Sequence, residues 1–278
     1  MIVRIYLLAW VLLGVGCGKT AERAERQIRK THVREVRHWV ERNVVRHRKG
    51  VSLAAKRLAP GFLVEPATTR SAQMRTALRL MSQPPRGVSE LIASPKSFLA
   101  ATDDKGVVMA RDVVPEQDRM QGQDLHTFEP VHEALSGQAA EGVVVFPSLG
   151  QGESSVSVIF AHPVFADNHV VGTILLGIPF WRLAQQLSQQ LRLTYASQTD
   201  LVLWVYLLHE GRLHHFGTPP EVDHALPSPP KITRTLAAHP GGYTAQMTLA
   251  NRPYAYGVYP LEDLFRGSSV IIVRSDPL

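Results

Sequence analysis

The sequence lacks most of the features that mark disulfide-rich, catalytic or cofactor-binding proteins. It contains one cysteine, Cys17, so no internal disulfide can stabilise the fold. It has neither a Gly-x-Ser-x-Gly nucleophile elbow nor a Gly-rich phosphate loop that ends in Lys-Ser or Lys-Thr. Asp103 and Asp104 are paired acids, but they lie in a turn that needs them for local hydrogen bonds. We therefore expect a protein that is not an enzyme and that binds no cofactor.

The apolar run at the N-terminus is shorter than the roughly 20 residues that a membrane-spanning helix needs. It begins after Arg4 and ends at Cys17. A positive residue, a short apolar stretch and small residues at its end predict a secretory signal peptide. The position of Cys17 resembles the lipobox of bacterial lipoproteins, in which the cysteine is lipidated, although Gly14 stands where leucine is usual. An uncleaved anchor and a plain signal peptide are the alternatives.

Basic residues are concentrated in one segment. Residues 18–60 contain 13 Lys or Arg and 4 Asp or Glu, whereas the chain after residue 60 is mildly acidic. From Thr20 to about Ala59, apolar residues recur at spacings near three and four, which predicts one long helix that Pro60 and Gly61 end. Its apolar stripe consists of Ile28, Val33, Val36, Trp39, Val40, Val44 and Val45.

Three interpretations of this basic helix remain open. A nucleic-acid arm would use its Lys and Arg side chains to neutralise phosphates, but an exported protein meets little nucleic acid, so we expect no nucleic-acid partner. A membrane-surface helix would use them against anionic lipid headgroups, which suits a helix that directly follows an anchor. A solvated helix face is the simplest interpretation.

Residues 98–179 contain the clearest strand pattern. Two short apolar runs flank an Asp-Asp-Lys-Gly turn, which predicts a hairpin over 98–112. Two longer apolar runs flank the polar turn at Asp167 and Asn168, which predicts a second hairpin over 156–179. The segment 122–137 between them is predicted as a loop and a short helix. This order of elements is similar to that of a PAS-like sensor fold.

The rest of the chain predicts further helices and a second, related module. The two predicted hairpins of 98–179 have loose counterparts after residue 199, which implies two modules rather than a solenoid. Helices are predicted over 71–81, 88–92 and 180–193, strands over 199–209, 212–216, 242–249, 252–260 and 268–274, and a Pro-rich loop over 218–230.

Together these features resemble the extracellular Cache family of bacterial sensors, in its double form. The resemblance implies an α+β fold with a long N-terminal helix followed by two PAS-like antiparallel sheet modules. It also implies that a small metabolite binds in one pocket. The likeness rests on the long helix and on residues 102–112, 122–125, 131–137, 162–164 and 170–177.

The resemblance also predicts the domain organisation. We expect a signal peptide or lipobox over 1–17, a long basic helix over 18–60, a membrane-distal module over 61–185 and a smaller second module over 186–278. Typical members of the family return through the membrane into a kinase, chemoreceptor or cyclase output, and this sequence shows no such continuation. We therefore expect a signalling partner protein, a stand-alone binding lipoprotein or a truncated relative.

Four residues are candidates for ligand contacts. Arg111 and Asp112 lie on the return strand of the first predicted hairpin, His126 in the loop before the short helix, and His162 on a central strand. In citrate and dicarboxylate sensors, which have a similar sheet, a basic residue near this point faces the ligand carboxylate. A guanidinium suits that role because it donates two parallel hydrogen bonds. Those relatives have His-Pro soon after the arginine, where Asp112 and Val113 stand here. A surface arginine, an exposed loop histidine and a structural histidine are the simpler interpretations.

A histidine-rich segment raises the alternative of a metal site and of a hydrolase. His209-Glu210 and His214-His215 differ in spacing from the His-Glu-x-x-His of zinc proteases and straddle a predicted Gly turn. We therefore expect a hairpin surface and no metal. Tyr254 and Tyr256 alternate onto one strand face, which suits either a pocket wall or a core.

These observations favour an exported sensor module in the periplasm or cell envelope. We expect it to be anchored to the membrane through its N-terminus and to bind a small molecule, for which Arg111 favours a carboxylate. The rival is a structural or interaction lipoprotein whose sheets serve only as docking surfaces. A sheet interior filled by large side chains would favour that rival.

Overall fold

The structure is a computed structural model that describes residues 19–94, 96, 98–146 and 155–277. Cys17 and the rest of the apolar N-terminal run lie outside these residues. Within the described part of the chain, no helix combines the length and apolar character that crossing a membrane requires.

The first element is the long helix α1, residues 19–58, which confirms the predicted helix. It contains a π-helical turn, Ile28–His32, and continues as a regular α-helix over Val33–Leu58. A 3₁₀ turn, Ala59–Leu63, follows, because Pro60 cannot continue the α-helical hydrogen bonds.

The buried stripe of α1 includes His47, which was not predicted, and leaves out Val45, which was. Val40, Val44 and His47 are buried at spacings of four and three, and Val45 is 63% exposed. Val45 therefore lies outside the stripe, because its neighbour Val44 already occupies the buried position in that turn.

The first sheet contains five antiparallel strands in the order β2-β1-β5-β4-β3. Helices α2, Ala67–Met81, and α3, Ser89–Ile92, precede it, and helix α4, Glu129–Leu135, lies between β2 and β3. The strands are β1, Phe98–Thr102, β2, Val108–Arg111, β3, Ala140–Phe146, β4, Ser155–Ala166, and β5, His169–Pro179.

Both predicted hairpins of this sheet are confirmed. Strands β4 and β5 are joined by Asp167 and Asn168, whose φ angles are 46° and 65°. These left-handed conformations are those of a tight turn that matches the twist of paired strands. Strand β3 was not predicted, although Val143, Val144 and Val145 form a β-branched run.

The second sheet repeats this strand order. Helix α5, Phe180–Thr194, leads into five antiparallel strands in the order β7-β6-β10-β9-β8. Counted from the first strand of each sheet, both orders are 2-1-5-4-3, which confirms the two related modules. The strands are β6, Val202–His209, β7, Arg212–His214, β8, Tyr243–Leu249, β9, Arg252–Pro260, and β10, Ser268–Ser275.

The prediction of a loop over 218–230 is wrong. Two helices occupy this region, α6, Pro220–Ala225, and α7, Pro229–Ala238. Each begins at a proline. The fixed φ of proline suits the first helical turn, and an N–H at that position would have no partner within the helix, so no hydrogen bond is lost. Both helices lie between the second and third strands of their sheet, as α4 does in the first.

The chain divides into two compact units. One comprises Glu41–Phe180 and contains the first sheet; the other combines the described residues up to Val40 with those from Trp181 onward and contains the second sheet. Each unit has its own cluster of buried apolar side chains. We refer to them below as the first-sheet unit and the second-sheet unit.

Candidate functional site

An open groove in the first-sheet unit is the candidate site. It has a volume of about 580 Å³ and lies among the C-terminal part of α1, helix α4 and strands β3 and β4. Alanines at three positions of its wall leave space that larger side chains would fill. The lining residues are Arg48, Val51, Ser52, Glu133, Ala139, Ala140, Glu141, Phe160, Ala161 and His162.

An ion pair joins the helix side of the groove to its strand side. Arg48 Nε donates to Glu141 Oε2 at 2.9 Å, and Arg48 Nη2 donates to Glu141 Oε1. The pair is therefore bidentate, the geometry that a guanidinium fork makes with any carboxylate. The Arg48 side chain is 57% exposed and that of Glu141 is 22% exposed. Because the pair is reachable from solvent, another carboxylate could compete for Arg48.

His162 lines the same groove. Its Nδ1 lies 2.8 Å from the carbonyl oxygen of Pro163. A carbonyl oxygen only accepts, so Nδ1 carries the proton, and in the neutral ring Nε2 keeps a lone pair. His162 is thus the one predicted contact residue that lines this groove.

Arg111 lies elsewhere in the first-sheet unit. Its guanidinium carbon lies 5.1 Å from the centroid of the Phe98 ring, and its Nε is buried with no hydrogen-bond partner among the described residues. Burial lowers the pKa of Arg111, against the attraction of Asp118 and Asp112. An unpaired buried donor of this kind is uncommon in folded proteins.

Asp112 and His126 make local contacts. Asp112 Oδ1 accepts from the backbone N–H of Leu99 at 2.9 Å, which ties the end of β2 to β1, and burial raises the pKa of this carboxyl. The side chain of His126 is 52% exposed, and its Nδ1 lies 2.9 Å from Asp124 Oδ1. Ligand contact by Arg111, Asp112, His126 and His162 stays a prediction.

Sequence reasoning missed a buried acid–base pair beside Arg111. The Asp118 side chain has no exposed surface and accepts from Arg75 Nη2 and from the backbone N–H of Arg111, both at 3.2 Å. It also accepts from the backbone N–H groups of Met120 and Gln121. Asp118 thereby fixes the loop after β2. No local pattern could have revealed this pair, because Arg75 is 43 residues away.

Aromatic side chains fill one face of the first sheet. The Phe98 and Phe146 ring centroids are 5.8 Å apart and those of Phe128 and Phe146 are 5.2 Å apart, both edge to face. A Cβ added at Gly177 would lie 2.2 Å from Phe98, so the phenylalanine ring occupies the space above that glycine. On this face the Phe98 ring also lies against the Arg111 guanidinium.

Histidines of the histidine-rich hairpin in the second-sheet unit make pairwise side-chain contacts. His209 Nδ1 lies 2.9 Å from Ser268 Oγ, and His215 Nε2 lies 3.1 Å from Asp223 Oδ2. Tyr206 donates to the other oxygen of Asp223 at 2.7 Å. Among the described residues, no group of three or more His, Cys, Asp or Glu side chains is arranged to hold a metal ion.

Solved sensor domains have a similar fold. The sensor domain of the V. cholerae histidine kinase DctB is 13% identical, with 91% of this chain and 97% of that domain covered and a TM-score of 0.53. A domain of a sensory box/GGDEF family protein from Vibrio parahaemolyticus is 15% identical, with coverages of 94% and 97% and a TM-score of 0.51. The ligand-binding domain of the Campylobacter jejuni chemoreceptor Tlp3, in complex with 4-methylisoleucine, is 11% identical, with coverages of 93% and 91% and a TM-score of 0.50.

Sequence comparison adds nothing to this, since no protein-family model and no curated protein matches the chain. The structural likeness covers both sheets and the long helix. The protein thus has the tandem PAS-like fold of Cache-type sensor domains, as the sequence resemblance predicts.

Proposed function

We propose that this protein is a sensor module that binds a small zwitterionic metabolite in the groove between α1 and strands β3 and β4. The observation that carries the proposal is the groove itself, in which both a cation and carboxylates are reachable from solvent. The fold supports the proposal, because the C. jejuni chemoreceptor domain with this fold binds 4-methylisoleucine.

The charges of the groove fit a ligand that carries both an acid and an amine. Arg48 offers its guanidinium fork to a carboxylate, and Glu141 and Glu133 offer oxygens to an ammonium group. Rearranging the Arg48–Glu141 pair costs little, since exposed ion pairs contribute about 0.2–1 kcal/mol. His162 Nε2 supplies an acceptor for a further ligand donor.

Arg111 defines an alternative position for the ligand, away from the groove. Its partnerless Nε and the adjacent Asp112 support carboxylate binding there, as the sequence resemblance implies. The contact of the Arg111 guanidinium with the Phe98 ring opposes it, because that ring already occupies one side of the guanidinium.

A thermal-shift screen of the full chain against the twenty amino acids, followed by calorimetry, tests the proposal. A ligand that binds only the folded state raises the melting temperature. We expect Glu141→Gln to weaken binding of the stabilising compound about tenfold or more, and Arg111→Met to leave it unchanged. The reverse pattern would move the site to Arg111. Absence of any stabilising compound would remove most support for ligand sensing.

We also propose that the protein is exported and anchored to the membrane through its N-terminus. The apolar run that ends at Cys17 supports a lipid anchor in the cell envelope, and a partner protein would then receive the signal. Mass spectrometry of the mature N-terminus tests this part. A lipid-modified Cys17 as first residue is expected, and an intact Met1 would contradict lipid anchoring.

A second candidate function is that of an interaction module without a ligand. The aromatic packing of Phe98, Phe128 and Phe146 favours it, since large side chains at these positions occupy part of one sheet face. The same screen decides between the two, because an interaction module gives no stabilising compound.

A further inference from the structure

The second-sheet unit contains a network of buried polar side chains. It joins the π-helical turn of α1, Ile28–His32, to the end of strand β10. Arg274, on β10, is 1% exposed, His32 is fully buried, and Asp276 is 2% exposed. Burying these groups is costly unless they are paired. Their contacts therefore determine how firmly the turn is held.

The contacts of His32 fix its protonation state. Arg274 Nη1 lies 2.6 Å from His32 Nε2, and a guanidinium has only donors, so Nε2 must accept. His32 Nδ1 lies 3.1 Å from Glu35 Oε2 and donates to it. The buried imidazole is thus neutral, with its one proton on Nδ1.

The positive and negative charges around His32 balance while its ring is neutral. Asp276 Oδ1 accepts from Arg274 Nε at 2.7 Å, and Arg23 lies 3.7 Å from the other oxygen of Asp276. Tyr195 donates to Glu35 at 2.9 Å and lies edge-on to the His32 ring, with centroids 4.8 Å apart. A second positive charge on His32 would face Arg274 directly.

The π turn also contacts the second sheet at its other end. A Cβ at Gly257, on β9, would lie 2.5 Å from Ile28 Cγ2, so the glycine permits the close approach of Ile28. The turn is therefore held at two points, by packing at Ile28 and by hydrogen bonding at His32. Single π turns in long helices often mark functional positions.

We propose that His32 is a pH-sensitive latch, in which protonation of Nε2 breaks the hydrogen bond from Arg274 and releases the π turn of α1 from strand β10. Burial lowers the pKa of His32, Arg274 lowers it further, and Glu35 and Asp276 act in the opposite direction. The closed latch has its full stability above the ordinary histidine pKa of about 6.5 and loses stability as the pH falls below it.

Hydrogen exchange of the full chain at pH 7.5 and 5.5 tests the latch. With intrinsic rates corrected for pH, protection of residues 28–32 and 270–276 should fall by up to about tenfold, because the open state binds a proton near pH 6.5 and the closed state binds it only at lower pH. His32→Gln keeps an acceptor for Arg274 and a donor for Glu35 but does not titrate, so protection of these two segments should depend less on pH than in the wild type.

His47→Gln is the matched control, because His47 is also buried but lies in the first-sheet unit, where it contacts Ser94. On acidification, the His47→Gln variant should lose protection at residues 28–32 and 270–276 as the wild type does. Equal pH dependence in the wild type and in His32→Gln would overturn the latch. If His32→Gln does not fold, nitrogen NMR of the wild-type histidines decides, and a His32 ring protonated on Nε2 at pH 7.5 would overturn it equally.

Discussion

Buried carboxylates hold the loops of the first-sheet unit in place. Asp118 accepts hydrogen bonds from one guanidinium and three backbone N–H groups, and Asp112 accepts one from β1 that links the end of β2 to it. In the first hairpin turn, Asp103 Oδ1 accepts from the backbone N–H groups of Lys105 and Val107, as expected of an acid in a tight turn. These hydrogen bonds account for the order of the loops.

Asp118→Ala should destabilise the protein by about 3–5 kcal/mol, because it leaves the buried guanidinium of Arg75 without its counter-charge. Urea unfolding measures the change in free energy. Asp104→Ala, an exposed position of the hairpin turn, should change stability by about 0.5 kcal/mol or less. Equal effects of the two substitutions would show that the buried pair is not a stabilising unit.

At the scale of elements, the sequence predicted most strands and the long helix because their periodicity is local. The alternation and turn residues of 98–112 and 156–179 define both hairpins of the first sheet. Strand β3 escaped prediction because its residues are mostly half-buried at a sheet edge, and α6 and α7 escaped because their prolines suggested a loop. A proline at a first helical position is compatible with a helix.

The candidate site was less predictable than the fold. His162 was identified as a candidate, but Arg48 and Glu141 are 93 residues apart, and only the folded chain brings them together. The π turn of α1 depends on Gly257 and Arg274, which lie more than 200 residues away. Local patterns contain no information about such pairs.

Ile232→Ala should test whether α7 is part of the core of the second-sheet unit. Ile232 is fully buried, and truncating a buried isoleucine costs about 2–5 kcal/mol. Urea unfolding of the full chain should show this loss, whereas Lys231→Ala, at an exposed position of the same helix, should be nearly neutral. A neutral Ile232→Ala would mean that α7 packs less closely than the structure shows.

At the scale of the whole molecule, the same strand order occurs twice, and each unit contains buried neutral histidines. Burial lowers the pKa of His47 to about 4, and it lowers the pKa of His214 to about 4 as well. The pKa values of His32 and His209 are also lowered by burial. Asp112, whose pKa is raised, acts in the opposite direction.

The free energy of unfolding should therefore fall as the pH drops from 7.5 to 5.5. The unfolded chain binds protons near pH 6.5 and the folded chain does not, so His47 alone accounts for about 1.4 kcal/mol at pH 5.5. Urea unfolding at several pH values measures how steeply the free energy of unfolding depends on pH. His47→Gln should make that dependence less steep. A stability that is constant or rises on acidification would contradict neutral burial of these histidines.

The central claim is that the first-sheet unit binds a small zwitterion in the groove between α1 and strands β3 and β4. Methyl NMR of the full chain with labelled alanines tests it most directly, with the amino acids that stabilise the protein as probes. The account predicts that the methyl signals of Ala139, Ala140 and Ala161 shift on binding, while that of Ala100, which pairs with Arg111, does not. Shifts at Ala100 alone, or no shifts at any of these alanines, would contradict it.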